Sequence, residues 1–160
     1  MYPNNGTTKS SMPSTGGRTR MEIILADGQR IFREATRALL SRCSDMRVEA
    51  EAASGRELFA HLRRKTPHLV LLDTELSDLE GPETVRRIHQ VDPRCRVVAL
   101  SDRRDPALID AMLEAGALGY ILKDSSSADL LRGLRAVHVG GGWLSPGAAR
   151  ALIAGREARQ

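Results

Sequence analysis

The sequence predicts a doubly wound parallel α/β fold: one five-stranded sheet in the order 2-1-3-4-5, with helices on both faces. Three observations carry this. From Met21 onward, strand-like and helix-like segments alternate five times, and repeated βα units give a parallel sheet with right-handed crossovers. The segment HLVLLDTELSDLEG, residues 68–81, opens with four apolar residues, Leu69 to Leu72. Such a short, wholly apolar run suits a strand buried on both faces. Finally, 160 residues suit one domain with a sizeable core.

Taken in order, Met21–Ala26 reads as the first strand. Arg30–Arg42 follows as a helix, with Ile31, Ala35 and Leu39 at spacings of four on one stripe. Met46–Ala52 alternates Met46, Val48, Ala50 and Ala52 against Arg47, Glu49 and Glu51, the pattern of a half-exposed edge strand. Ser54 and Glu57 fit a capping box that opens a helix through about Lys65. Leu69–Leu72 is the third strand, ended by Asp73, and Pro82–Val91 is a helix with proline in its first turn. Arg96–Leu100 is the fourth strand, and Asp105-Pro106 caps a helix carrying Leu108, Ile109, Met112 and Leu113. Gly119–Leu122 is the fifth strand, and Ser126 to Asp129 cap a helix with Leu130, Leu134 and Val137 in line. Gly140–Gly142 breaks that helix, and Trp143-Leu144 leads to Ser145-Pro146, the cap and first turn of a sixth helix.

Composition narrows the function. Residues 1–20 are rich in Gly, Ser, Thr, Pro and Asn, contain no apolar run, and read as a disordered arm. Lys9, Arg18 and Arg20 place +3 of the formal +4 in that arm. The remainder shows no basic face that would bind nucleic acid. There is no signal peptide and no apolar run long enough to span a membrane. Cys43 and Cys95 stand in no metal-ligand spacing, as expected of reduced thiols in a cytoplasmic protein. His61, His68, His89 and His138 form no ligand pattern and are read as structural.

The strand ends are polar. The first ends at Asp27, the third at Asp73, the fourth at Ser101 and the fifth at Lys123. In a doubly wound sheet these ends converge on one edge, where such folds bind ligands. Each residue alone has a plain structural reading, as helix cap, strand end or loop hydroxyl. Together they form a cluster with a definite chemistry. Two carboxylates suit a hard cation such as Mg²⁺, and a carboxylate can attack phosphorus to give an aspartyl phosphate. A hydroxyl and a fixed ammonium can hold the phosphoryl oxygens.

The motifs ILADGQ, LLDTELSDLEG, VALS, EAGALGYILKD and GGGWLSP together resemble a response regulator receiver domain of the NarL/FixJ (LuxR-type) family. The resemblance runs from about Glu22 to Leu152. It implies the flavodoxin-like receiver fold, with a receiver over 21–140 and a linker helix over 141–160. That helix would lead toward a DNA-binding helix-turn-helix absent from this chain. The resemblance further implies a two-component protein phosphorylated on Asp73 by a histidine kinase, switching dimerisation or transcriptional output. Ser101 is then the switch hydroxyl, Tyr120 the aromatic that follows it, and Lys123 the partner of the phosphoryl group. Asp27 and Asp73 would hold Mg²⁺. Self-phosphorylation would be its only chemistry, so it would not be an enzyme. Its partners would be the kinase and a second copy, with DNA reached only through the helix-turn-helix and no membrane contact.

The sequence departs from the family pattern at the metal site. Two adjacent acids are usual after the first strand, and here they are Asp27 and Gly28. Losing one carboxylate ligand weakens Mg²⁺ binding, because the ion keeps few protein ligands. Glu75 stands where a neutral residue is usual, and Ser77 replaces the loop proline, which makes the loop less rigid. Two readings of Glu75 stay open. It turns inward and supplies the missing carboxylate, or it is solvated and the receiver works without phosphorylation. Two rivals differ in class. A haloacid-dehalogenase-like phosphatase would use Asp73 and Glu75 but needs an acidic metal pair after the lysine, where Asp124 stands alone. Against a flavodoxin-like cofactor binder stand the scarcity of aromatics, two Phe, two Tyr and one Trp, and the absence of a phosphate loop after the first strand.

Overall fold

In a computed structural model, described for residues 19–160, the chain folds as a doubly wound α/β unit. The expected arm lies outside the described residues up to position 18. The strands are β1 (Met21–Ala26), β2 (Met46–Ala52), β3 (Leu69–Asp73), β4 (Arg96–Ser101), β5 (Gly119–Leu122) and β6 (Trp143–Leu144). The helices are α1 (Arg30–Ser41), α2 (Gly55–Arg64), α3 (Gly81–Val91), α4 (Pro106–Ala115), α5 (Ser127–His138) and α6 (Pro146–Glu157).

The sheet has six parallel strands in the order β2-β1-β3-β4-β5-β6, not five. The sixth escaped the sequence reading because two residues are too few to show a period. Gly140, at φ +97°, turns the chain back after α5, and the Trp143 N–H then donates to the Leu118 carbonyl. Beyond β6 the Ser145 hydroxyl, fully buried, accepts from the Leu122 N–H at 3.1 Å and extends the ladder by one bond.

Alternate strand residues face opposite cores. Ile23, Leu25, Leu69, Leu71, Val98, Leu100 and Ile121 pack with Leu40 of α1 and Leu130, Leu134 and Val137 of α5. Ile24, Ala26, Val70, Leu72, Val97, Ala99 and Tyr120 pack on the other face with α2, α3, α4 and α6. The segment expected as a linker helix lies on this second core: Ala148 and Leu152 of α6 are buried in it. A Cβ at Gly155 would stand 2.5 Å from Pro106, so α6 approaches α4 at glycine distance.

The α1 stripe is a correction. Ile31 is 85 % exposed and Ala35 is exposed; the buried residues are Thr36 and Leu40, with Phe32 and Leu39 half-buried against the core. Thr36 can be buried because its hydroxyl donates to the Phe32 carbonyl at 2.8 Å, satisfying the polar group within its own helix. Ser54 caps α2 as expected, its Oγ accepting from the Glu57 N–H, while Glu57 Oε2 reaches one residue further back and accepts from the Ala53 N–H.

Ser145 is the acceptor on which the β5 edge depends. Ser145→Ala leaves the Leu122 N–H buried without a partner, and should lower unfolding free energy by about 1–3 kcal/mol. Urea denaturation followed by circular dichroism measures this.

Candidate functional site

The C-terminal ends of β1, β3, β4 and β5 bring Asp27, Asp73, Ser101 and Lys123 to one edge of the sheet, as expected. All four side chains are buried: Asp73 is 3 % and Ser101 0 % exposed as residues, and the Lys123 side chain is 4 % exposed. Lys123 Nζ lies 2.9 Å from Asp27 Oδ2 and 3.3 Å from Asp73 Oδ2. It donates a further bond of 2.7 Å to Gln29 Oε1. The Phe32 ring lies beneath it, 4.6 Å from centroid to ammonium, a cation–π contact. Asp27 Oδ1 is held by the Gln29 N–H at 2.8 Å, and Asp73 Oδ1 by the Glu75 N–H at 2.9 Å.

One ammonium thus serves two carboxylates, and the site is short of positive charge. Burial pushes the Asp73 carboxyl up from 3.8 to about 6, and the neighbouring Asp27 pushes it the same way, against the Glu75 N–H and Lys123. Asp27 Oδ2, though close to Lys123, accepts no directed hydrogen bond. A buried carboxylate oxygen with one poorly aligned ionic partner is an opening for a cation. The donor chemistry fits Mg²⁺, which binds through one or two carboxylates and keeps its waters. Asp27 and Asp73 are the two that fit. Among the described residues, no three acidic, histidine or cysteine side chains converge as a ligand set. Glu75 does not complete one in this structure: its side chain is 51 % exposed and pairs with Arg103 at 3.3 Å.

These groups open on a cleft of about 330 Å³ lined by Gly28, Gln29, Asp73, Glu75, Asp102 and Lys123. The loop after β3 is latched, although Ser77 suggested laxity. The Asp78 carboxylate accepts from the Gly55 and Arg56 N–H groups at 2.8 and 3.0 Å, at the start of α2. Those bonds hold the Asp78 carboxyl below its ordinary value.

Ser101 and Tyr120 both meet the loop after β4. Ser101 Oγ faces Thr74, accepting from its hydroxyl at 2.6 Å and from the Arg103 N–H at 3.0 Å. Tyr120 is already inward, fully buried, with its hydroxyl donating to the Arg103 carbonyl at 2.7 Å. Burial raises the phenol above its ordinary value. The strand ends hid four contributors from the sequence reading: Gln29, Phe32, Thr74 and Arg103. Each lies within a few residues of a motif position, but nothing in residue type or spacing marked it. The histidines are structural as read, at least at His61, His68 and His89, whose rings bond backbone groups.

A family model for the response regulator receiver domain matches residues 23–135. The chain belongs to the response regulator receiver family. Among curated relatives, the transcriptional regulatory protein LnrK of Bacillus subtilis is 36 % identical over 126 residues, covering 79 % of this chain and 57 % of LnrK. UhpA of Salmonella typhimurium is 33 % identical, covering 84 % of this chain and 67 % of UhpA. The chain therefore spans little more than half the length of LnrK. The crystal structure of a LuxR-family two-component response regulator from Aurantimonas sp. superposes with a TM-score of 0.82 at 32 % identity, covering 87 % of this chain and 99 % of that one. An RcsB–DNA complex shares the fold at 23 % identity and a TM-score of 0.79, covering 84 % of this chain and 68 % of that one. The receiver thus has NarL/FixJ-type relatives, and neither the phosphatase nor the flavin-binder alternative gains support. No helix among its described residues is long and apolar enough to cross a membrane.

The raised Asp73 carboxyl has a direct consequence for stability. The folded receiver holds this proton more tightly than the unfolded chain does, so stability falls as pH rises from about 4 to about 6 and is level above. Asp73→Asn removes the buried charge. In Mg²⁺-free buffer it should exceed the parent chain by about 1–3 kcal/mol at pH 8, and the two should converge near pH 4. Parallel urea melts at the two pH values test this.

Proposed function

We propose that the receiver is phosphorylated on Asp73 by a histidine kinase and passes that signal to a transcriptional output. The observation that supports this reading is the placement of Asp73: a buried carboxylate at the end of β3, open to the cleft, with Lys123 Nζ 3.3 Å away. In the transfer, an Asp73 oxygen forms the new P–O bond as the P–N bond of a phosphohistidine breaks, and the electron pair of that bond leaves on the imidazole. The receiver is changed rather than turning over a substrate, so it is not an enzyme in the usual sense.

Lys123 neutralises the phosphoryl oxygens, preset by Asp27, Gln29 and Phe32. Asp27 and Asp73 would hold Mg²⁺, which supplies the charge that one ammonium cannot. With Gly28 in place of a second acid, that ion is held weakly. Once Asp73 carries a phosphoryl group, Ser101 exchanges its Thr74 bond for a phosphoryl oxygen. Tyr120 and the Arg103 carbonyl read that movement at the start of α4. With α6 packed on α4 and β5, the free pair α1 and α5 is the favoured homodimer face. Contact with DNA is assigned to a helix-turn-helix of the kind NarL/FixJ-type proteins carry, and the setting is the cytoplasm.

Intact mass after incubation with acetyl phosphate and Mg²⁺ tests the central step. One base-labile phosphoryl adduct is expected, absent in Asp73→Asn. No adduct at any Mg²⁺ concentration would refute phosphorylation and leave a receiver regulated through partners.

The weak-metal reading has its own test. A Cβ at Gly28 meets only the Ala53 carbonyl, at 3.5 Å, so a side chain is tolerated there. Gly28→Asp should tighten Mg²⁺ binding by about tenfold, roughly 1.4 kcal/mol, as measured by calorimetric titration. An unchanged affinity would mean that Gly28 is not the weak point.

A further inference from the structure

On the side of the receiver away from α1 and α5, a groove of about 570 Å³ runs between α2 and α3. Its floor is apolar: Phe59 of α2, Leu79 of the loop after β3, and Val91 at the end of α3, which is 47 % exposed. Its rim is cationic, with Arg56 and Arg63 on α2 and Arg87 on α3. Among the described residues Arg56 and Arg63 form no ion pair; Arg63 Nε donates to the Phe59 carbonyl of its own helix. Arg87 shares Glu83 with Arg86. The one acidic side chain in the lining, Asp78, is spent on the Gly55 and Arg56 N–H groups.

Arg56 and Arg63 are seven residues apart, about 10.5 Å along the helix, and Phe59 lies between them on the same stripe. That pattern of cation, aromatic, cation is the complement of an amphipathic helix with acids two turns apart and a large apolar side chain between them. We propose that the α2–α3 groove docks an acidic amphipathic helix of a partner protein. The apolar floor disfavours nucleic acid, whose backbone offers nothing to bury there. Residues 1–20 and the segment around the end of α6 do not fit either. The charged side chains of residues 1–20 are Lys9, Arg18 and Arg20, and α6 ends with Arg156 and Arg159 around a single Glu157.

The groove has a mechanical link to the cleft. Leu79 and Asp78 belong to the loop that follows Asp73. Gly55 lets Leu79 come so close that a Cβ there would stand 3.1 Å from it. A helix seated against Leu79 therefore presses on the latch that holds the phosphoacceptor loop to α2. This coupling rests on the reading of Asp73 as phosphoacceptor, whereas docking itself does not.

The test uses the unphosphorylated full chain, so its failure is distinct from a failure of phosphorylation. The probe is a fluorescein-labelled fourteen-residue alanine-based helical peptide with a leucine at i and glutamates at i−3 and i+4, followed by anisotropy. Saturable binding is expected, weakened at least tenfold in Arg56→Glu/Arg63→Glu and lost when lysines replace the glutamates. Amide shifts should cluster at 55–63, 76–80 and 87–91. If charge reversal disturbs the circular dichroism, Arg56→Gln/Arg63→Gln decides, with a loss of threefold or more expected. The proposal is overturned if these pairs bind the peptide unchanged, or if the shifts fall on α1 and α5. It is equally overturned if a DNA duplex of about 20 base pairs binds the same residues as tightly as the peptide does.

Discussion

The Lys123 ammonium is the point on which the whole top edge of the sheet depends. It joins the ends of β1, β3 and β5 through Asp27, Asp73 and its own strand. Taking three charges out of water is costly, and the cost is met only when each is closely partnered. The partners come from far apart in the chain: Gln29 reaches Lys123 across 94 positions. Register therefore matters more here than anywhere else in the core. A slip of β5 by one residue would carry the ammonium to the other face of the sheet. The remaining imbalance, two carboxylates against one cation, leaves the site receptive to further positive charge.

Much of this was legible in the sequence, and the reasons can be stated. The strands β1, β3, β4 and β5 are buried on both faces, so they appear as continuous apolar runs whose ends are sharply marked by Asp27, Asp73, Ser101 and Lys123. The run of βα units fixed their neighbourhood. What stayed hidden depends on side-chain direction and local bonding. Ile31 looked like core because apolar spacing of four is ambiguous between adjacent stripes of a short helix. Thr36 looked polar because its internal hydrogen bond cannot be read from composition. Gln29 and Thr74 are ordinary polar residues beside motif positions. The loop after β3 seemed lax without its proline because the Asp78 latch spans more than twenty residues, to the start of α2.

The switch region shows how packing and signalling share atoms. Tyr120 fills the core between α4 and α6 while its hydroxyl grips the loop after β4. Ser101 meanwhile is occupied with Thr74. The aromatic and the hydroxyl are therefore tied through one residue: the Arg103 N–H donates to Ser101 and the Arg103 carbonyl accepts from Tyr120. A signal at Asp73 competes for Ser101 against two accepted hydrogen bonds, from the Thr74 hydroxyl and the Arg103 N–H, a contest of modest energy in either direction.

The two-residue strand β6 has a consequence for how this protein can be cut. Ending the chain at the glycines after α5, where the helix pattern breaks, would strip β5 of its neighbour. Four wholly buried residues, Gly119 to Leu122, would become a bare strand edge with free amides. The apolar stripe once shielded by Ala148 and Leu152 would stand open beside it. An uncovered, flat, apolar edge is a template for pairing with other molecules and for insoluble assembly. The segment from β6 through Leu152 thus covers the edge of β5 and its apolar face as much as the five βα units cover the rest of the sheet.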